Sequence, residues 1–116
     1  MITVLFGGSR PNGNTAQLTK FALQDLEYQW IDVTQHQFKP IRDVRHTAET
    51  ITSYDDDYLP ILDKILASDT IIFASPVYWY SISAPLKAFI EHWSETLQDK
   101  RYPNFKAQMA EKDFRV

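Results

Sequence analysis

The sequence predicts an α/β domain built on a doubly wound parallel sheet, and three observations carry that expectation. Short β-rich runs alternate with segments of helical apolar spacing, in the order β-α-β-α-β-α with one more strand beginning. One of those runs, residues 70–74, is apolar on consecutive positions, as a strand covered by helices on both faces must be. A polar, glycine-containing loop directly follows the first run, at the place where open α/β sheets hold ligands.

Taken in order, residues 2–6 form an apolar, β-rich run that stops at Gly7-Gly8 and reads as a buried strand. A loop spans residues 7–14. Residues 15–26 then place Leu18, Phe21, Ala22 and Leu26 at helical spacing, which predicts an inward apolar face there. Residues 28–33 suit a pleated surface and read as a second strand. Residues 38–53 are polar and irregular. Asp55-Asp56-Asp57 signals a helix start, because acids in a first turn oppose the positive end of the helix dipole. The apolar face of that helix is Tyr58, Ile61, Leu62, Ile65 and Leu66, and Pro60 is tolerated within its first turn. Ser75-Pro76 ends the third strand. Ser83 then reads as an N-cap for a helix with Leu86, Phe89, Ile90, Trp93 and Leu97 on one side. Beyond Gln98 the pattern weakens, and residues 113–116 read as the first residues of another strand.

Composition narrows the function. The 116 residues suffice for one domain, 1–116, with a modest core. A net charge of −3 with no Lys/Arg run argues against nucleic-acid or anionic-membrane partners. The chain contains no cysteine, which excludes disulfides, thiol nucleophiles, thiolate zinc sites and iron–sulfur clusters. No basic head precedes the first apolar run and no apolar stretch could span a bilayer, so the cytoplasm is the expected compartment. His36, His46 and His92 share no metal-ligand spacing, and His92 reads as a surface histidine. Ser81 and Ser83 lack the glycine context of a hydrolase elbow. The sequence therefore predicts no metal site and no protein side chain acting as acid, base or nucleophile.

Two loops carry the chemistry. In Gly7-Gly8-Ser9-Arg10-Pro11-Asn12-Gly13-Asn14-Thr15, glycines permit positive φ and close backbone approach, and the following helix start offers free N–H groups to a phosphate. Ser9, Asn12, Asn14 and Thr15 add short polar donors and Arg10 adds a charge. The loop matches neither the Walker pattern nor the dinucleotide fingerprint. After the third strand, Ser75-Pro76-Val77-Tyr78-Trp79-Tyr80-Ser81-Ile82-Ser83 sets three aromatics in a row. Such a loop beside a phosphate site suits a flat, mostly apolar ring.

Together these motifs resemble the NADPH-dependent FMN reductase family. The likeness rests on Gly-x-Ser-Arg-Pro-Asn-Gly-Asn-Thr near the start and on Ser-Pro-Val-Tyr-Trp-Tyr-Ser-Ile-Ser-Ala-Pro-Leu-Lys-Ala-Phe-Ile-Glu some sixty residues later, and it covers nearly the whole chain. It implies a flavodoxin-like fold, bound FMN, and electron transfer from NAD(P)H to a flavin, quinone or similar small-molecule acceptor. It implies that Ser9, Arg10, Asn12, Asn14 and Thr15 hold the FMN phosphate and that Pro76, Val77, Tyr78 and Trp79 border the isoalloxazine ring. It also points to a homodimer or higher homo-oligomer.

Three departures stand out. Gly8 occupies a position where many members have serine, which removes one phosphate hydroxyl. Residues 40–46, Pro-Ile-Arg-Asp-Val-Arg-His, lack the cysteines of the iron–sulfur branch. The family continues for about one more strand-helix-strand-helix unit. The expectation is therefore a sheet cut short after its third strand and that strand's helix, with an exposed edge that is covered either by further chain past Val116 or by self-association. The competing readings are a non-catalytic FMN-binding module and an interaction domain without cofactor.

Overall fold

In a computed structural model, residues 1–39 and 57–116 are described. They form a four-stranded, all-parallel sheet in the order β2-β1-β3-β4: β1 Ile2–Phe6, β2 Tyr28–Asp32, β3 Thr70–Ala74 and β4 Asp113–Arg115. The helices are α1 Asn14–Ala22, α2 Tyr58–Leu66, α3 Ala84–Glu91, α4 Trp93–Thr96 and α5 Phe105–Ala110, with a 3-10 turn at Val33–Gln35. The chain runs outward from β1 to β2, then crosses back to place β3 on the other side of β1. This reversal makes the space beyond the β1 and β3 carboxyl ends the switch point of the sheet.

The predicted doubly wound α/β class is the one observed. The further strand expected to begin at residue 113 forms: β4 pairs in parallel with β3 as Thr70↔Asp113, Ile71↔Phe114 and Ile72↔Arg115. Phe114 also stacks on Phe73, with centroids 5.9 Å apart. The lower part of the β3 edge is thus covered.

Alternation along the strands splits the core in two. Leu5, Ile31 and Ile71 face α2 and α3 and pack with Tyr58, Leu62, Ile65, Leu86, Phe89 and Phe105. Val4, Phe6 and Ala74 face α1 and pack with Ala16 and Leu23. The second cluster corrects the expected face of α1. Leu18, Phe21 and Leu26 are 69%, 68% and 54% exposed, and Ala22 is exposed as well. The helix instead lies on the sheet through Ala16, 1% exposed, whose small side chain permits close approach. The helix also ends at Ala22, so Leu26 falls in the turns that follow.

Around α2 and α3 the expectations fare better. Tyr58, Ile61, Leu62 and Ile65 are buried on α2, and Leu86 and Phe89 on α3; Leu97 is exposed. Asp57 occupies the α2 N-cap without a side-chain cap bond; its carboxylate accepts from the Gln37 N–H at 3.0 Å. Asp55, Asp56, His46 and the 40–46 segment lie outside the described residues. His92 is not a surface residue but 3% exposed, at the junction of α3 and α4. Its Nδ1 lies 2.8 Å from the Ala88 carbonyl and its Nε2 2.6 Å from the Lys39 carbonyl, and its ring stacks on Tyr58. A neutral imidazole donates to one of these two carbonyls, by whichever ring nitrogen carries the proton, and the aromatic face packs against the ring.

Burial has a consequence for alkaline stability. The Tyr58 hydroxyl lies 2.5 Å from Thr96 Oγ1, and burial, reinforced by the nearby Glu95 charge, pushes the phenol well above its ordinary range. Tyr102 is pushed up to about 12, first by burial and then by its bond to Asp63. A phenol whose pKa is raised on folding keeps its proton in the folded chain while the unfolded chain ionises near pH 10. Stability therefore falls as pH rises above about 10, at roughly 1.4 kcal/mol per pH unit for Tyr58. Urea unfolding between pH 9 and 11 measures this fall, and Tyr58→Phe is expected to flatten it. An unchanged slope in that variant removes Tyr58 as its source.

Candidate functional site

The first loop leaves the end of β1 and enters α1. Gly7 anchors it, donating its N–H to the Ala74 carbonyl at the end of β3 at 2.9 Å. A Cβ at Gly7 would lie 2.6 Å from Ser83 Oγ and 2.8 Å from Leu86 Cβ, so a side chain there would push α3 off the strand end. No glycine of the chain has positive φ, which corrects the conformational role expected for the loop glycines. Space, not φ, is what these positions require.

The N-terminus of α1 is open. Its N-cap is Gly13, and no side chain caps it. Among the described residues, the amide N–H groups of Gly8, Ser9, Asn14, Thr15 and Ala16 have no recorded hydrogen-bond partner. Orphan first-turn amides together with the positive dipole end favour an anion. The loop itself is braced: Gly13 N–H donates to the Arg10 carbonyl at 3.3 Å, and Gln17 Nε2 donates to the Asn12 carbonyl at 2.8 Å. Gln17 was not among the residues anticipated from sequence, where it reads only as a polar helix position.

A cavity of about 460 Å³ opens over this helix end, lined by Gly8, Ser9, Arg10, Asn12, Gly13, Asn14, Thr15, Gln17, Pro76 and Tyr78. All five anticipated phosphate residues line it, and two of the four anticipated ring residues, Pro76 and Tyr78, close its other side. Val77 and Trp79 do not reach it and are 77% and 94% exposed.

Backbone geometry explains where the aromatics went. Tyr78 and Ser81 exchange N–H···O bonds of 3.0 and 3.1 Å around Trp79 and Tyr80, whose φ angles are 51° and 66°. Positive φ at both central positions is the type I′ turn, which ordinarily takes Asn-Gly. Aromatic residues in that conformation cost about 1–3 kcal/mol each. The turn throws Trp79 and Tyr80 (98% exposed) outward and leaves Tyr78 facing the cavity. Behind it, Ser75 Oγ accepts the Ser83 N–H at 2.8 Å and ties the loop to the start of α3. Ser83 takes the predicted N-cap position but makes no cap bond, and its buried Oγ has no partner.

The cavity therefore combines free amides, one cation and short polar side chains at one end with a proline and a tyrosine at the other. These groups fit the phosphate end of FMN, and Pro76 with Tyr78 supplies part of a border for a ring. Among the described residues no cluster of three or more His, Asp or Glu could hold a metal ion.

The family model described as NADPH-dependent FMN reductase matches residues 1–110. A Bacillus subtilis (strain 168) protein, YwqN, named as an NAD(P)H-dependent FMN-containing oxidoreductase, is 41% identical over 111 residues, covering 96% of this chain and 61% of its own length. An NADPH:quinone oxidoreductase of Arabidopsis thaliana is 36% identical over 70 residues, 60% of this chain and 33% of its own. The solved structure of the Trp repressor binding protein from Bacillus subtilis superposes with a TM-score of 0.75 at 38% identity, covering 98% of this chain and 63% of that one. The chain thus spans about three-fifths of the length of the Bacillus relatives it matches.

Proposed function

The chain belongs to the NADPH-dependent FMN reductase family, and from that membership we propose that it forms the FMN-binding part of an NAD(P)H oxidoreductase. The observation that carries the reading is the uncapped α1 N-terminus opening into a cavity lined by Ser9, Arg10, Asn12, Asn14 and Thr15. In this proposal those residues and the free amides hold the FMN phosphate. Pro76 and Tyr78 border the ring, with Val77 and Trp79 at its outer rim. When bound, FMN supplies the redox chemistry, accepting a hydride from NAD(P)H and passing electrons to a flavin, quinone or similar small molecule. The chain's own part is to bind and orient: the helix end neutralises the phosphate, Arg10 fixes it, and Tyr78 limits where a flat ring can lie.

Relatives named as acting with NAD(P)H and on quinone support a small-molecule acceptor. No helix among the described residues is long and apolar enough to cross a membrane. We extend the proposal to a cytoplasmic homo-oligomer comprising one FMN-binding domain per chain, with the exposed Leu18, Phe21 and Leu26 as apolar surface open to association.

Visible absorbance of the purified protein and NADPH oxidation with a quinone or free flavin test the proposal together. Flavin absorbance with NADPH turnover is the expected result. Flavin absorbance without turnover reduces the function to a binding module, and a colourless protein that FMN cannot reconstitute ends the FMN reading.

A further inference from the structure

Residue 8 has no room for a side chain, and the cause is Phe6, two residues earlier at the end of β1. A Cβ on Gly8 would lie 2.4 Å from Phe6 Cζ and 2.8 Å from Phe6 Cε1. The ring has no room to retreat. Phe6 is 1% exposed, its centroid is 5.0 Å from that of Trp30, and Trp30 in turn lies under Lys20 Nζ at 5.0 Å and beside Tyr28 at 6.4 Å. Gly8 does not have positive φ, so glycine is present for space alone.

Resting on the FMN reading above, we propose that Phe6 is a positioning residue for the FMN phosphate. Its ring forms the floor on which the backbone at Gly8 lies, and that floor sets the height of the Gly8 and Ser9 amides beside those of the first turn of α1. Phe6 does not itself line the cavity, whereas Gly8 and Ser9 do. The end of β1 thereby selects how phosphate is bound. With a phenyl ring at position 6, residue 8 contributes a backbone N–H and no side chain; with a smaller residue at position 6, a serine hydroxyl can enter. Residues 6 and 8 act as one unit.

The test separates positioning from ordinary core filling by comparing FMN with riboflavin, which lacks the phosphate. F6L, G8S and F6L/G8S are titrated with each flavin, following flavin fluorescence, alongside the unmodified protein. F6L is expected to lose about tenfold in FMN affinity, the scale of one charged hydrogen bond, while riboflavin binding stays level, so that the FMN-to-riboflavin ratio falls. G8S is expected to bind FMN poorly or to fold poorly. The double variant is expected to recover FMN affinity to within a few-fold of the unmodified protein, because the serine then has space and adds a hydroxyl. An F6L variant with an unchanged FMN-to-riboflavin ratio overturns the inference, and so does a double variant that binds FMN no better than F6L alone. If the unmodified protein binds FMN no tighter than riboflavin, the phosphate site itself falls and takes the inference with it.

Discussion

Replacing Phe89 with alanine is expected to lower the unfolding free energy by about 3–5 kcal/mol, the cost of emptying a fully buried aromatic site. Phe89 is 0% exposed and sits where three rings meet, with centroids 5.3 Å from Phe38, 5.6 Å from Tyr58 and 6.5 Å from Trp93. These neighbours belong to α2, α4 and the segment after the 3-10 turn, so a cavity at Phe89 loosens α3 from each of them. Collapse into the space is opposed by Tyr58, which is held through its hydroxyl and stacked on His92. Urea unfolding measures the loss. Leu97→Ala, at a position 50% exposed, is the matched control and is expected to cost less than about 1 kcal/mol. A Phe89→Ala cost as small as the control's would mean that this cluster is not the core of the fold.

Arg10→Ala is expected to weaken FMN binding by about 1–3 kcal/mol, the range of a hydrogen bond to a charged group. Arg10 lines the cavity, and its carbonyl is already tied to Gly13, so the backbone survives truncation of the side chain. The change therefore removes the cation and leaves the amides of α1. Part of the affinity is expected to persist on those amides, and its salt dependence is expected to diminish. Arg10→Lys keeps the charge but loses the planar fork that pairs two phosphate oxygens, and is expected to fall between the two. Calorimetric titration with FMN at two salt concentrations reads all of this. An Arg10→Ala protein with the original affinity excludes Arg10 from the phosphate contact.

The parts of the fold legible in the sequence are those where one physical signal acts alone. Strands β1 and β3 were legible because continuous apolar runs ending at Gly7 and at Ser75-Pro76 admit no competing period. Helix α1 was legible as a helix but not in its orientation. Leu18, Phe21 and Ala22 make the more apolar stripe, whereas Ala16 and Leu23 make the stripe that lies on the sheet. Spacing marks both stripes as helical and does not report which of them the sheet takes. Helix α5 was missed because six residues with one buried side chain, Phe105, carry too little periodicity. His92 reads as a surface residue because the carbonyls that lie against it, from Ala88 and Lys39, leave no trace in side-chain spelling.

The candidate site shows the same division. The phosphate end could be read because a polar loop entering a helix binds anions through its backbone, whatever the details. The ring end could be read only in part, since it hinged on a type I′ turn at Trp79-Tyr80, a pair that turn statistics disfavour. The coupling of Phe6 to Gly8 depends on a distance of 2.4 Å, which no motif encodes.

The place of β1 in the sheet also governs the order of events as the chain is made. Residues 2–6 are made before both of their partners, pairing with 28–32 on one side and 70–74 on the other. Until the third strand is synthesised, Val4, Leu5 and Phe6 have at most one paired edge and no finished layer above or below them. Closing so long a loop costs entropy before any contact rewards it, so such pairing is slow. The most buried of the described strands is therefore the one that waits longest for its partners. A chain halted before residue 70 leaves the β3-facing edge of β1 unpaired.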